Sequence, residues 1–255
     1  MKRIAVVYFA YINKDKNWKR IISSQLADLK RSGILSEADL FIEVSDPNNL
    51  NSVHCYFDNL KLYCKVAYHS KNTFEYYGLH KVWELSKLDS NYDYIAYFHT
   101  KGMSYKKRCS LGLTSGRNPR EIVLTYLTFK NYKNTVSVFD TNKGIVKIGA
   151  FPKKDDDSSD KSGCFIWFNF FWLRCAYART LEEPIITDNR FYYENWSSKD
   201  VGERGDAYKR LSFSLYSKSN KGYTIHEASD TLKHLNKLYK YLWPLSALYL
   251  RATYR

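Results

Sequence analysis

The stretch that decides the fold is Tyr94-Ile95-Ala96-Tyr97-Phe98-His99-Thr100-Lys101-Gly102. Its first five residues are apolar or aromatic, which is typical of a strand buried on both faces, and polar or small residues follow at once. Ligands of parallel sheets bind beyond the carboxyl ends of the strands, where this polar end would lie. Glycine lets a ligand approach the backbone, and lysine offers a cation to a phosphate. An ordinary turn in which His99 bonds a backbone carbonyl is the alternative.

The residues before this stretch alternate between strand-like and helix-like patterns. Strands are predicted at Ile4–Tyr8, Leu40–Val44 and Leu62–Tyr68, and helices at Trp18–Lys30 and Asn72–Lys87. Such alternation is typical of an α/β fold, with a largely parallel sheet and helices on both of its faces.

After the polar, basic loop Lys101–Pro119, the pattern predicts a helical region to about Tyr132 and further short elements. They are strands at Ile145–Phe151 and Cys164–Leu173, a short helix at Arg174–Leu181 and a C-terminal basic helix from about Ser229. We expect one domain, residues 1–228, with a helical extension, residues 229–255, packed on it.

Composition narrows the class of partner. The chain has 255 residues with 17% aromatics, and 40 Lys and Arg against 26 Asp and Glu give a net charge of +14. Ordinary hydrophobic content excludes a disordered chain, and the positive charge favours a polyanionic partner such as nucleic acid, nucleotide phosphates or an acidic membrane face. A lysine-rich solvated surface is the alternative explanation.

Cysteine usage and the N-terminus indicate the compartment. The five cysteines form neither a CxxC pair nor a metal-ligand spacing, which favours a reducing environment. The first residues lead directly into a strand without the apolar region of a signal peptide, and no apolar run reaches the ~20 residues of a membrane helix. We therefore expect a cytoplasmic protein, peripheral at a membrane at most.

Two later segments carry further chemistry. Asn169 is a polar amide in the apolar run Asn169–Leu173, and a buried amide needs partners that a pocket commonly supplies. In Arg190-Phe191-Tyr192-Tyr193-Glu194-Asn195-Trp196, a carboxylate among aromatics in a cleft could act as a general base. The alternative is an Arg190–Glu194 pair at helical spacing on the surface.

Together the three segments resemble a group of nucleotide-sugar glycosyltransferases with a GT-A-like fold, found in large algal viruses and bacterial polysaccharide loci. The group's patterns are FHTKG, GNFWWAR-x-x-Y-x-R-x-L and R-Y-x-x-E-x-W, and the first is matched in full by residues 98–102. In the second, Phe168 stands at the glycine position and Phe171 at a tryptophan position, and in the third Phe191 replaces the tyrosine. A similar upstream helix start is Glu75-Tyr76-Tyr77-Gly78.

The resemblance implies transfer of a sugar from a UDP- or GDP-linked donor to a glycan or polysaccharide acceptor. The residues expected to bind the donor are Tyr11, Asn72, Glu75, Gly78, His99, Thr100, Lys101 and Gly102. Those expected in the sugar or acceptor pocket are Asn169, Trp172 and Arg190. For an inverting reaction Glu194 is the candidate general base and Asp188 the reserve, while Glu75 could instead complement its helix dipole.

Metal dependence stays open at this stage. Many GT-A enzymes hold Mn²⁺ or Mg²⁺ with an Asp-x-Asp pair, and this chain has His99-Thr100-Lys101 at that place. Either Lys101, helped by the basic loop residues Lys106, Lys107 and Arg108, stabilises the diphosphate, or His99 ligates a metal with a distant carboxylate. The acidic run 155–160 is expected to be a polar loop rather than a metal site.

Three alternatives concern partners. The basic helix within Thr231–Arg255 is expected to dock on the domain, with peripheral membrane contact as the lesser alternative. A nucleic-acid-binding basic protein without catalysis is the rival function, but the charge is spread along the chain and no RNA-binding signature occurs, so we expect no nucleic acid. A non-catalytic sugar-binding module is a third reading. The oligomeric state is not predicted.

Overall fold

The structure is a computed structural model that describes residues 3–87, 92–101, 103, 117–154, 165–199 and 211–237. Its strands are β1 (Ile4–Tyr11), β2 (Ala38–Ser45), β3 (Cys64–His69), β4 (Tyr94–His99), β5 (Ile145–Gly149), β6 (Phe171–Arg174) and β7 (Leu211–Ser214). Its helices are α1 (Trp18–Ser32), α2 (Asn51–Asp58), α3 (Tyr76–Lys87), α4 (Pro119–Phe129), α5 (Tyr132–Thr141), α6 (Cys175–Ala178), α7 (Arg190–Asn195) and α8 (225–237).

The strands of the described residues form one sheet in the order β3-β2-β1-β4-β6-β5-β7. Strand β6 runs antiparallel to its neighbours β4 and β5, and every other pairing is parallel. The predicted α/β fold class, with a mostly parallel central sheet, is confirmed.

The central strands are apolar throughout because helices cover both faces of the sheet. Along β1, Val6 and Tyr8 belong to a core that includes side chains of α1 and α4, whereas Val7 and Phe9 belong to a second core that includes side chains of α3 and α6. All four are buried. A strand buried on both faces shows a continuous apolar run, which is why the sequence revealed β1 and β4 clearly.

Local backbone geometry explains where two sequence predictions were wrong. The predicted strand over 164–173 begins only at Phe171, because Phe168 and Asn169 have φ angles of 74° and 56° inside a tight helical turn. The predicted helix Asn72–Lys87 begins at Tyr76, because Phe74 has a φ of 52°. Left-handed residues fit neither a strand nor a right-handed helix. Helices α2 and α5 were not predicted individually.

Helix α8 packs on the domain through Ala228 and Leu232, which are buried in the first core. That the whole basic segment, residues 229–255, packs on the domain stays a prediction. Residues 238–255, which carry the rest of that prediction, lie outside the described residues, as do Gly102, the basic loop 106–108 and the acidic run 155–160. Within the described ranges, no helix has the length and apolar character needed to span a membrane.

Candidate active site

The end of β4 is fastened to the end of β1 by Thr100. The Tyr11 amide donates to Thr100 Oγ1 at 2.9 Å, and the Thr100 amide donates to the Phe9 carbonyl at 3.0 Å. Tyr11 is the last residue of β1, rather than just past it as the pattern predicted, and it is half-buried. These bonds hold the predicted strand ends side by side at the carboxyl edge of the sheet.

Glu75, which directly precedes α3, is the carboxylate around which the site is organised. Its Oε2 accepts hydrogen bonds from Asn169 Nδ2 at 2.8 Å and from the Tyr97 hydroxyl at 3.2 Å. Its Oε1 lies 3.7 Å from His99 Nδ1. The sequence placed Glu75 and His99 at separate strand and helix ends, and the fold brings them together.

Asn169 reaches this carboxylate from the turn before β6. Its Nδ2 also donates to the Tyr193 carbonyl at 3.0 Å, while its Oδ1 is buried and has no hydrogen-bond partner among the described residues. The neighbours fix the orientation of the amide, because a carboxylate and a carbonyl both require the NH₂ group. A buried acceptor without a donor is rare in proteins, so Oδ1 is suited to a ligand hydroxyl.

His99 is buried and held by the backbone of Phe168. Its Nε2 lies 3.2 Å from the Phe168 carbonyl, so the proton of the neutral ring is on Nε2 and Nδ1 faces Glu75. Burial lowers the pKa of His99, although the negative charge of Glu75 opposes the shift. Burial therefore favours the neutral form of the ring.

This donor set fits a divalent cation poorly. Only His99 Nδ1 and Glu75 could act as ligands together, and the part of the chain that the structure describes contains no group of three His, Cys, Asp or Glu arranged to hold a metal. Mg²⁺ also prefers oxygen ligands to imidazole.

Lys101 is the cation at the centre of the site. Its ammonium lies 5.2 Å from the centroid of the Phe168 ring, and it forms no hydrogen bond or ion pair with the residues described. Burial lowers the pKa of Lys101, the charges of Glu75 and Glu194 oppose this, and those of Arg190 and Arg120 reinforce it. A cation that is half-buried without a paired counter-ion is suited to an anionic ligand.

Glu194 lies within electrostatic range of Lys101, so the two candidates occupy the same region of the molecule. Its helix α7 begins with the Asn189 side chain accepting a hydrogen bond from the Phe191 amide. Arg190 Nη2 lies 3.7 Å from Glu194 Oε1, so the surface pair at helical spacing is formed as well. Glu194 is half-buried, and Asp188 is exposed in the preceding loop.

Three predicted residues have other roles. Trp172 is fully buried in the core and donates to the Thr128 carbonyl at 3.0 Å, so it does not line a pocket. Gly78 is buried against the sheet, where a Cβ would come within 2.7 Å of Phe9 Cβ, so it permits close helix packing rather than facing a donor. Asn72 is exposed, and its side chain accepts a hydrogen bond from the Phe74 amide, which shapes the turn before α3.

Sequence reasoning missed Arg120 and the function of Phe168. Arg120 is in the first turn of α4, after the cap Asn118, whose side chain accepts from the Arg120 amide. An Asn-Pro helix start following the basic loop was the available signal. For Phe168 the signal was its place at the glycine position of the motif GNFWWAR, because φ there is 74°, a region that glycine occupies without strain.

A buried polar network holds the end of β4 in place. Gln25 Nε2 donates to the His99 carbonyl and to Glu121 Oε1. Arg117 forms a two-point ion pair with Glu121, with distances of 2.6 and 2.7 Å. This network joins α1, α4 and the end of β4, and it holds the backbone from which His99 extends.

Comparison with known proteins leaves the family open. No protein-family model matches the chain, and no curated protein matches it in sequence. Among solved structures, core-mannan synthase A from Aspergillus fumigatus, in its Mn/GDP form, is similar at 10% identity and a TM-score of 0.38. The match covers 79% of this chain and 68% of that chain. A likeness this weak carries no argument about activity.

Proposed function

We propose that the chain is a nucleotide-sugar-dependent glycosyltransferase that transfers a sugar from a UDP- or GDP-linked donor to a glycan acceptor. One observation carries the proposal: at the carboxyl end of β4, the Lys101 ammonium is half-buried without an ion-pair partner among the described residues, between the charges of Glu75 and Glu194. The motif resemblance points to the same reaction.

The cations suit the diphosphate of the donor. Lys101, Arg120 and Arg190 extend from three different elements, and their positive charges act on one another. A diphosphate between them would relieve this repulsion and would be stabilised as its bond to the sugar breaks. Basic residues of the loop before Arg117 are further candidates that lie outside the described residues.

The polar groups beside Lys101 suit a sugar. Asn169 Oδ1 would accept a hydrogen bond from a sugar hydroxyl. Glu75 and the Tyr193 carbonyl take up the NH₂ group of that amide, and Oδ1 has no partner among the described residues. Tyr11, at the end of β1, remains the candidate for contact with the nucleotide base. Both assignments are proposals about the occupied site.

Glu194 is the proposed general base of an inverting transfer, with Asp188 in reserve. Its carboxylate would take the proton of the acceptor hydroxyl as that oxygen attacks the anomeric carbon. The bond from the anomeric carbon to the diphosphate would break at the same time, and its electron pair would leave with the diphosphate. The charge of Glu194 acts on Lys101, which supports placing the donor and the acceptor in the same region.

Calorimetric titration with UDP, GDP and single-stranded oligonucleotides tests the donor site. Wild type is expected to bind a nucleoside diphosphate, and Lys101→Met is expected to weaken that binding by about tenfold or more, since a charge-assisted contact is lost. Lys233→Met, on an exposed lysine of α8, is the matched control. Titrations with Mn²⁺ and with a chelator test metal dependence. Equal binding by Lys101→Met, or binding of oligonucleotides alone, would contradict the proposal.

Turnover tests the base. Glu194→Gln is expected to lower the transfer rate by about 10²-fold or more, while nucleotide binding is retained. Glu183→Gln, a more exposed carboxylate of the same region, is the matched control. Normal turnover in Glu194→Gln would remove Glu194 from the mechanism.

A further inference from the structure

Exposed apolar side chains are concentrated beside α7. Of the seven large hydrophobic side chains that are exposed in the described residues, four lie around this helix, and we call them the apolar rim: Phe74, Ile185, Ile186 and Phe191. Ile186 and Phe191 are each 63% exposed. Scattered exposed hydrophobic residues need no explanation, but a contiguous exposed cluster marks an interaction site.

Two tyrosines hold the apolar rim together. The Tyr192 hydroxyl accepts from the Ile185 amide, and the Tyr193 hydroxyl donates to the Ile185 carbonyl, each at 3.2 Å. The Tyr193 ring lies 6.1 Å from the ring of Phe74. The rim is therefore formed by a loop, a helix and the turn before α3 that are fastened to each other.

The apolar rim adjoins the proposed base. Phe191 precedes Glu194 by three residues on α7, so the two lie on neighbouring positions of the helix surface. The Tyr193 carbonyl accepts the second hydrogen bond of Asn169. A molecule seated on the rim would therefore extend its next group towards Glu194 and the sugar-binding polar groups.

The charges around the apolar rim narrow the class of occupant. Glu182, Glu183 and Asp188 lie in the same loop and are exposed. Two cations lie among them: the Arg190 guanidinium is 5.7 Å from the centroid of the Phe191 ring, and Lys199 Nζ is 3.8 Å from Glu182 Oε2. With Glu194, four carboxylates stand against these two cations, so the net charge of the surface does not favour an anionic membrane or a nucleic acid. Isoleucine side chains offer neither hydrogen bonds to sugar hydroxyls nor a flat ring for a base, so an aliphatic or aryl group is the fitting partner.

We propose that the apolar rim is an acceptor subsite for the apolar aglycone of a glycoside or glycolipid. This inference rests on the proposed function, and it narrows the acceptor from glycans in general to glycans carrying an apolar group. The sugar end of the acceptor lies at Glu194 and the aglycone lies on Ile185, Ile186 and Phe191. Affinity for the acceptor then rises about fourfold for each methylene that the rim buries.

Matched glycosides test the subsite. Octyl and methyl β-D-glucopyranoside share a sugar and differ only in the apolar chain, and their binding is measured by calorimetry, below the micelle-forming concentration, in the presence of UDP or GDP. The octyl glycoside is expected to bind about tenfold or more tightly than the methyl glycoside, which corresponds to about two buried methylenes. In the double variant I186S/F191S this preference is expected to disappear, with methyl glycoside binding unchanged within about twofold.

Tyr63→Ser is the matched control, because Tyr63 is 83% exposed and is not part of the apolar rim. The single variant Ile186→Ser serves if the double variant does not fold. If the protein binds a nucleoside diphosphate but binds the two glycosides with equal affinity, the subsite alone is overturned. The same holds if the preference for the octyl glycoside persists in the substituted variants. Absence of any nucleoside diphosphate binding would overturn the proposed function and the subsite with it. Binding to phosphatidylglycerol vesicles that I186S/F191S abolishes would also overturn the subsite, in favour of a membrane contact.

Discussion

Asn169 Nδ2 donates a 2.8 Å hydrogen bond to Glu75 Oε2, and so joins two residues that are 94 positions apart in the chain. The same NH₂ group donates to the Tyr193 carbonyl. One amide therefore links the start of α3, the turn before β6 and helix α7. The relative positions of Glu75 and Glu194 depend on this link.

Replacing Asn169 with Asp should destabilise the fold in a pH-dependent way. The change keeps the shape and tolerates a positive φ, but it replaces a donor to Glu75 with a second carboxylate. We expect a loss of about 2–3 kcal/mol in the free energy of unfolding at pH 7, because a hydrogen bond to a charged group becomes a repulsion. Urea denaturation at pH 7 and pH 5 measures it.

The loss of stability in Asn169→Asp should become smaller towards acidic pH. Two adjacent carboxylates repel each other, so one of them takes up a proton at a higher pH than an isolated carboxylate does, and the repulsion then disappears. Asn142→Asp is the matched control, because its side chain only accepts a hydrogen bond, from Gly144, and aspartate can do the same. A loss that is independent of pH would argue against contact with Glu75.

Replacing Lys101 with Met should stabilise the protein near neutral pH. Burial lowers the pKa of Lys101 in the folded state, whereas the unfolded chain protonates at the ordinary value of 10.5. Between these two values the unfolded state binds more protons, so the free energy of unfolding of wild type rises with pH in that window. The free energy of unfolding of Lys101→Met should therefore exceed that of wild type most at pH values below the lowered pKa. This difference should disappear as the pH approaches 10.5.

Urea denaturation of wild type and Lys101→Met from pH 7 to pH 10 checks this expectation, with Lys233→Met as an exposed control. Nucleoside diphosphate binding to wild type should weaken over the same pH range, because an anion binds the protonated form. If the difference in stability between wild type and Lys101→Met did not vary with pH, Lys101 would not be desolvated.

Phe168 offers a test of backbone strain. Its φ of 74° lies where an L-residue with a Cβ is disfavoured by about 1 kcal/mol, and glycine is not. Both Phe168→Ala and Phe168→Gly remove the ring beside Lys101, so their difference isolates the backbone. We expect the glycine variant to be more stable by about 1 kcal/mol in urea denaturation. At Phe213, which lies within β7, the alanine variant should be the more stable of the two.

Gly78→Ala tests whether that position packs or binds. The added Cβ would come within 2.7 Å of Phe9 Cβ and of Tyr97 Cε2, so overpacking should cost about 1–3 kcal/mol despite the better helix propensity of alanine. Denaturation should show the loss, while nucleoside diphosphate affinity stays unchanged in the folded fraction. Weaker binding with normal stability would instead place a ligand at Gly78.

The strands that were predicted well are those with a purely local signal. Strands β1 and β4 are buried on both faces, so each is a continuous apolar run that needs no knowledge of its neighbours. The polar end of β4 was recognisable for a similar reason, because the apolar run ends at Phe98, although His99 and Thr100 are buried as well. Tyr11, predicted just past β1, proved to be its last residue.

Two residues predicted for the sugar pocket have different surroundings, because burial depends on neighbours. Asn169 and Trp172 stand three residues apart in one apolar run, yet Asn169 meets Glu75 and Trp172 packs against the core residue Phe129. The left-handed backbone at Phe168 and Asn169 separates them, and phenylalanine gives no local signal for that conformation. Arg120 was not predicted, because the effect of its charge on Lys101 depends on how α4 packs on the sheet.

The amino-acid sequence by itself determined the alternation of strands and helices, the polar end of β4 and the basic character of the chain. These features follow from burial and backbone propensity, which act over a few residues. Only the tertiary structure decided that Glu75 meets His99 and Asn169, and that the charges of Glu75 and Glu194 act on Lys101. Such contacts depend on strand order and helix packing, which bring together segments that are distant in the chain.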